Sequence, residues 1–321
     1  MTIRRACITG GAGFIGSNLA DRLHAAGSEV VVVDSFRTGR REFLSGLVGR
    51  PGFTLVTGDV RDPEVINPAV EGCDWIFHLQ ANADVRGGLD HPTLDLELNT
   101  VATSRVLEAA RRGGVRRVLI ASSGAVYGEP QSFPTPEDAP FPLQTSLYGA
   151  SKLAGEGLLA AYCAGFGFTG VICRFVSILG ERYTHGHVYD FFRALRADPT
   201  RLTVLGDGKQ TKSYLYVQDC LSAMLTAAEN HAEDPGAAHV YNLGTEEAIT
   251  VDESVAVITG HLGLTPLIVH TGGSRGWVGD SPLIHLDTTR IRSLGWRPQV
   301  TIREAIGRTV LWLDSADGAS A

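Results

Sequence analysis

The chain has 321 residues, of which 44% are hydrophobic and 20% charged, with a formal net charge of -7. That is more than an ordinary domain of roughly 100–200 residues needs, and such a chain can bury a large core. The acidic balance argues against a nucleic acid as partner, since polyanion binders usually show a basic stripe, and no apolar run approaches a membrane-spanning length.

Arg5 to Thr9 reads as a first strand, followed by a glycine-rich loop and a helix from Ile15 to Ala26 with Ile15, Leu19, Leu23 and Ala26 on one face. Glu29 to Val33 is nearly all valine, as expected of a parallel strand buried on both sides. Further strands are predicted at Phe53–Thr57, Trp75–Leu79, Val118–Ser122 and Thr169–Phe175. Helical patterns lie between them, notably Asn99–Arg112 and Tyr148–Phe166. This alternation implies an α/β fold with a doubly wound parallel sheet. The five cysteines, Cys7, Cys73, Cys163, Cys173 and Cys220, are scattered and form no CxxC pair. They read as buried reduced thiols of a cytoplasmic protein. The N-terminus does not look like a signal peptide, because its short apolar stretch runs straight into the glycine loop.

That loop is Gly10-Gly11-Ala12-Gly13-Phe14-Ile15-Gly16. Glycines at 10, 13 and 16 allow a tight turn, a close approach of backbone to a pyrophosphate, and close packing of helix on strand. The helix N-terminus then offers free N–H groups to the phosphates. Asp34 ends the second strand about 20 residues further on, where a dinucleotide-binding fingerprint places its acidic residue. Its carboxylate accepts from both ribose hydroxyls and repels a 2′-phosphate, which favours NAD over NADP. Arg37, Arg40 and Arg41 pull the other way.

Tyr148-Gly-Ala-Ser-Lys152 puts a phenol and an ammonium one helical turn apart on one face. The expectation is that Lys152 favours the phenolate and lowers the Tyr148 pKa, so that the tyrosine serves as a general base. Ser123, at the carboxyl end of the strand Val118–Ser122, lies where ligands bind in such sheets. It is expected either to share the proton of a reacting hydroxyl or to cap a turn.

With these motifs in order, the chain resembles the extended short-chain dehydrogenases/reductases, and within them the UDP-glucose 4-epimerase-like nucleotide-sugar enzymes. The resemblance runs from TGGAGFIGSNLADRL through VDSFRTGR, GDVRD, FHLQANADVR, SSGAVYGEP, SLYGASK, RFVSILGER, GDGKQTKSYLYVQD and YNLGT to LDTTRIRSLGWRP. It implies a Rossmann-type NAD domain over 1-176, with returning segments near 212-245, and a smaller α/β substrate domain over 177-321. Lys212–Asp219 and Tyr241–Thr245 are expected to return to the sheet.

The resemblance assigns Ser123, Tyr148 and Lys152 as the catalytic trio, with Lys152 also on the nicotinamide ribose. It assigns cofactor contacts to Gly10, Gly13, Phe14, Ile15, Gly16, Asp34, Ser35, Thr38, Gly39, Asp59, Val60, Leu79, Gln80, Ala81 and Asn99. Arg86, Ser123, Tyr148, Ser177, Lys212, Tyr214 and Arg275 fall to the sugar nucleotide. The family often has Asn at Ser177 and Arg at Lys212, and a small residue at Gln80. A lysine offers a point charge where arginine offers a fork.

The resemblance also separates sister activities. Dehydratases carry an Asp-Glu pair after the catalytic hydroxyl, and decarboxylases carry a Glu at the second position. Here Gly124 and Ala125 stand there. The expected reaction is therefore C4 epimerisation of a UDP-hexose, either UDP-glucose/UDP-galactose or UDP-glucuronate/UDP-galacturonate, through a transient 4-keto sugar. Arg86 and Ser177 could read a C6 carboxylate. A sister NDP-sugar epimerase or reductase, or a non-catalytic NAD-binding regulator, are the alternatives. A homodimer through Asn99–Arg112 and Tyr148–Phe166 is implied. No metal is expected, since Thr184-His185-Gly186-His187 has no cysteine or acidic cluster beside it.

Overall fold

The computed structural model describes residues 3–82, 90–141, 143–144, 146–273 and 283–318. Arg86 and Arg275, assigned above to the sugar nucleotide, lie outside the described residues. The chain runs β1 (Arg5–Thr9), α1 (Phe14–Ala25), β2 (Glu29–Asp34), β3 (Phe53–Thr57), α2 (Pro63–Val70) and β4 (Trp75–His78). It continues with α3 (Ala102–Arg112), β5 (Arg117–Ser123), α4 (Leu147–Phe166) and β6 (Thr169–Phe175). Next come β7 (Ser177–Leu179), α5 (His187–Ala197), β8 (Arg201–Val204), β9 (Thr211–Lys212), β10 (Tyr214–Tyr216), α6 (Val217–Asn230) and β11 (Ala238–Leu243). The remainder is β12 (Ile249–Thr250), α7 (Val251–Leu262), β13 (Leu267–His270), β14 (Leu283–Ile284), α8 (Thr289–Ser293) and α9 (Ile302–Gly318).

The main sheet has 7 strands in the order β11-β6-β5-β4-β1-β2-β3. Neighbouring strands from β6 to β3 pair in parallel. This is the doubly wound α/β fold. The strand order reverses between β1 and β4, so the carboxyl ends of those strands border the crevice where such sheets take ligands. Val30 to Val33 are all buried, as a strand covered on both faces requires. Cys7, Val31, Ile76, Val106, Val118 and Leu159 belong to one core cluster that joins the sheet to α3 and α4. All five cysteines are buried and free. Among the described residues no helix is long and apolar enough to cross a membrane.

The chain divides into two compact units. The first is Met1–Pro130, Glu137–Phe175 and Leu221–Asn242; the second is Gln131–Pro136, Val176–Cys220 and Leu243–Ala321. β11, with Tyr241, joins the main sheet as expected. Lys212–Asp219 does not. Tyr214 pairs with Ser177 in a 2-stranded sheet, and Lys212 pairs with Ile249 and Ile284 in a 3-stranded one. Val217 then opens α6, and the chain reaches the main sheet only through β11. Within the second unit, Asp219 stays in place because its Oδ2 accepts from the backbone N–H of Gln299 and Val300, both at 3.0 Å.

Candidate active site

The glycine loop is built from backbone. Gly10 has φ +70, a conformation that costs glycine little. A Cβ at Gly10 would meet Gln80 Cα and N at 2.7 Å, and one at Gly16 would meet the Gly10 carbonyl oxygen at 2.3 Å. The loop thus lies pressed against Leu79–Gln80, and α1 starts close beneath it. Gly13 caps α1 without a side-chain hydrogen bond, and no acid stands in the helix's first turn. A helix start with no capping side chain and no acid suits an anion. Gln80 Oε1, beside this loop, is buried without a hydrogen-bond partner.

Asp34 is fixed in the same loop system. Its Oδ2 accepts from Ala12 N–H at 2.9 Å and its Oδ1 from Phe36 N–H at 2.8 Å. Burial pushes its pKa up, and these two bonds pull it down. Gly39 lies so close to this carboxylate that a Cβ there would be 2.7 Å from Oδ1. The neighbouring Arg40 N–H bonds Ala12 O at 2.9 Å, which ties the segment carrying Ser35, Thr38 and Gly39 to the glycine loop. Phe14 is buried at the head of α1, next to Ile15. Asp59 is clamped by Arg61, whose Nη2 reaches Oδ2 at 2.7 Å, and this pair holds the Asp59 pKa below its ordinary value. Val60 is buried beside it, and Ala81 follows Gln80. The cradle, the helix start without a capping side chain and the fixed Asp34 together fit a dinucleotide.

The corner between β5 and α4 is built from side chains. Ser123 ends β5, and its Oγ accepts from Ala125 N–H at 3.2 Å while hydrogen-bonded to the Tyr148 hydroxyl. It caps the turn and pairs with the tyrosine at once. Ser146 starts α4 by accepting from Gly149 N–H at 3.0 Å, which sets Tyr148 and Lys152 on one helix face. Lys152 Nζ is 5.8 Å from the Tyr148 ring centre and donates to Ala121 O at 2.9 Å.

The expected direction of the Tyr148 pKa is corrected here. Burial pushes it up to about 12, against the pull of the Ser123 hydrogen bond, and the Asp95 charge adds to the rise. Burial likewise brings Lys152 down to about 8, while Asp95 and Glu156 hold it up. Desolvation is the largest cause at both groups.

Several residues around this corner escaped the sequence reading. Glu156 and Arg174 form a buried bidentate pair at 2.6 and 2.9 Å. Ser122 Oγ donates to Glu156 at 2.5 Å, and Arg174 reaches Tyr127 Oη at 2.7 Å. These bonds lock α4 to β5 and β6. Asn99, which the resemblance assigned to the cofactor, lies in a turn of π-helix, Leu96–Val101. Its Nδ2 donates to Ser151 Oγ at 2.8 Å, and its Oδ1 accepts from Asn82 N–H at 2.7 Å. Asn99 therefore braces α4 from behind. Asp95 is buried, with Oδ1 bonded to Asn82 Nδ2 at 2.9 Å and Oδ2 unpartnered. His78 is buried between Thr9 Oγ1 at 2.7 Å and Thr103 Oγ1 at 3.0 Å.

In the second unit, Ser177 pairs with Tyr214 across β7 and β10, and Lys212 lies two residues before Tyr214, on β9. Tyr214 Oη bonds His187 Nδ1 at 2.8 Å, and His187 Nε2 bonds Ser254 Oγ at 2.7 Å. Burial, with Lys212 nearby, brings His187 down to about 4. The histidine is a neutral brace for Tyr214. Its pairing with Tyr214 was hidden, because 27 residues of sequence separate them.

The model of the NAD dependent epimerase/dehydratase family matches residues 6–244. The UDP-glucose 4-epimerase of Mycolicibacterium smegmatis is 37% identical over 313 residues, covering 95% of this chain and 97% of that protein. UDP-glucuronic acid decarboxylase 1 of Arabidopsis thaliana is 32% identical, covering 95% of this chain and 69% of that protein. Among solved structures, a UDP-galactose 4-epimerase superposes with TM-score 0.87 at 39% identity, covering 97% of this chain and 99% of that one. The Thermus thermophilus UDP-glucose 4-epimerase, solved with NAD, gives TM-score 0.85 at 32% identity, covering 97% and 99%. With a glycine cradle, a fixed Asp34 and a half-buried tyrosine–lysine pair already in place, the chain belongs to the NAD-dependent epimerase/dehydratase family and is an enzyme of that family.

Proposed function

We propose that the enzyme inverts C4 of a UDP-hexose by way of a 4-keto sugar. One observation carries this reading. Ser123 and Tyr148 pair at the end of β5, and the next two residues, Gly124 and Ala125, bear no titratable group. A proton can be moved at the reacting hydroxyl, and nothing at those positions drives elimination.

When bound, NAD supplies the acceptor and then the donor of the C4 hydride, and its oxidised ring adds positive charge at the site. Gly10, Gly13 and Gly16 hold the pyrophosphate end at the start of α1, and Asp34 holds the ribose. The Tyr148 phenolate takes the C4 hydroxyl proton and Ser123 keeps that hydroxyl in line. Lys152 favours the phenolate once its ammonium turns from Ala121 O. The flat 4-keto sugar then turns its other face to the hydride, and the same groups return the proton to the C4 oxygen, which leaves C4 inverted. Lys212, Ser177 and Tyr214, with Arg86 and Arg275, hold the sugar nucleotide. Leu96, Val101, Leu147 and Phe166 are exposed near or on α3 and α4 and suit a homodimer, which sedimentation would register as a doubled mass.

The test is incubation of the purified protein with UDP-glucose and, separately, UDP-glucuronate, with no added cofactor, followed by chromatography of the C4 epimers. Conversion of one of them is the expected result and identifies the C6 group. Conversion of neither, with NAD added, removes the UDP-hexose reading.

A further inference from the structure

Asp95 is 1% exposed and opens the π turn Leu96–Val101, yet its side chain caps none of that turn's N–H groups. Its Oδ1 instead accepts from Asn82 Nδ2 at 2.9 Å and from Asn99 Nδ2 at 3.3 Å. Its Oδ2 is buried without a hydrogen-bond partner among the described residues. A carboxylate oxygen left dry and unmatched is costly, and an acid that served only to hold the fold would not need one. A carboxylate can only accept, so Asp95 turns the amide N–H groups of both asparagines toward itself. The rest of the network then has one polarity. Asn99 Oδ1 accepts from Asn82 N–H at 2.7 Å, Asn99 Nδ2 also donates to Ser151 Oγ at 2.8 Å, and Ser151 Oγ donates to Tyr148 O at 2.8 Å. The chain of bonds ends on the turn of α4 that carries Tyr148 and Lys152.

We propose that Asp95 is the positioning residue of the Tyr148–Lys152 pair: it holds the first turns of α4 through Asn99 and Ser151, and its unshared oxygen supplies a fixed negative charge to that pair. This rests on the proton transfer at Tyr148 proposed above. Other groups around the pair do not take that place. Glu156 lies one turn further along α4, but Arg174 of β6 holds it in a bidentate pair. His78 of β4 is buried and neutral, its pKa brought down to about 3. Ser123 of β5 bonds the Tyr148 hydroxyl and carries no charge. Of the acids whose charge acts on the pair, Asp95 is the one that no arginine holds among the described residues.

A negative charge favours an ammonium and disfavours a phenolate, so it raises both pKa values. Asp95 acts in that direction at Lys152, which burial brings down to about 8, and at Tyr148, where burial is the larger cause. Without Asp95 the lysine loses its proton closer to neutral pH, and an uncharged amine does not favour a phenolate. The acid therefore sets the pH window in which α4 presents an ammonium beside the phenol.

The test reads Lys152 directly and needs no sugar nucleotide. Lys152, Lys209 and Lys212 are the only lysines of the chain. The protein as purified, labelled with ¹³C at lysine Cε, is titrated by NMR, and the signal lost in Lys152→Arg assigns Lys152. Asp95→Asn keeps the shape and removes the charge, so its Lys152 midpoint should fall by about one pH unit. Where Asp95→Asn does not fold, Asp95→Ala leaves room for a water on the two asparagines and should show the same fall. The pH profile of C4 turnover should follow, with both limbs moved to lower pH. An unmoved midpoint, or a profile that only loses height, overturns the proposal and leaves Asp95 a structural acid. A midpoint that falls in a protein converting neither UDP-glucose nor UDP-glucuronate supports the role of Asp95 and removes the C4 reading alone.

Discussion

At the glycine loop, α1 starts with no capping side chain and no acid in the first turn. At the corner of β5 and α4, charge sits on buried side chains that hold one another: Glu156 on Arg174, Asp95 near Tyr148 and Lys152. The first region needs only shape, which glycine spacing encodes. The second depends on which groups lose water, and spacing along the chain says nothing about that. Burial accordingly reverses the direction of the Tyr148 pKa that the tyrosine–lysine spacing suggests.

The comparison breaks first at Tyr148. Tyr148→Phe removes the proton carrier and leaves the cradle untouched. Turnover should fall by about 10²–10⁴-fold, measured as C4 epimer formed per enzyme, with NAD affinity unchanged. If more than a tenth of the activity survives, proton transfer runs through another group.

The side-chain region should also fail by unfolding where the backbone region does not. Arg174 and Glu156 are 3% and 6% exposed. Glu156→Ala leaves the guanidinium buried without a counter-charge, at a cost of about 3–5 kcal/mol. Urea denaturation reads this directly. The double variant Glu156→Ala/Arg174→Met should recover part of the loss, and a single variant of wild-type stability would show that the pair does not lock α4 to β6.

The backbone region is sharpened by Gly16→Ala. The added Cβ would sit 2.3 Å from the Gly10 carbonyl oxygen, which is backbone and has little room to move. Overpacking of about 1–3 kcal/mol at the loop should weaken NAD roughly 10–100-fold. Titration of the stripped protein measures it, and an unaltered affinity would remove the pyrophosphate from this loop.

The same contrast explains which features are legible in the sequence. β1, β3 and β6 begin and end at the expected residues, because each is a valine-, isoleucine- or phenylalanine-containing run with a glycine close to at least one end. The helix expected from Asn99 hides a π turn, since i→i+5 bonding leaves no mark on an apolar periodicity. Lys212 was assigned to the main sheet from a motif that names residues but not their strand partners, and its partners are Ile249 and Ile284. Ser123, Tyr148 and Lys152 were legible as a set because residues at the end of a strand and one turn apart on a helix converge by geometry alone. Glu156, Asp95 and His187 were not, because their roles rest on burial and on contacts between residues far apart in sequence.

His78 gives the smallest effect and the cleanest sign. It is 4% exposed, and burial, with the Lys152 charge adding, brings its pKa down to about 3 from an ordinary 6.5. The folded state keeps it neutral between Thr9 and Thr103, while the unfolded chain takes up a proton below about pH 6.5. Between pH 6.5 and 3 the unfolded state therefore binds more protons, and stability falls as the pH falls. From pH 7 to 5.5 the loss due to this residue is about 1 kcal/mol. His78→Gln cannot titrate, so its urea midpoint should drop less over that interval than the wild-type midpoint does, whatever its stability at pH 7. Parallel midpoints in the two proteins would mean that His78 is protonated in the fold, and the neutral bridge between β1 and α3 would have to be redrawn.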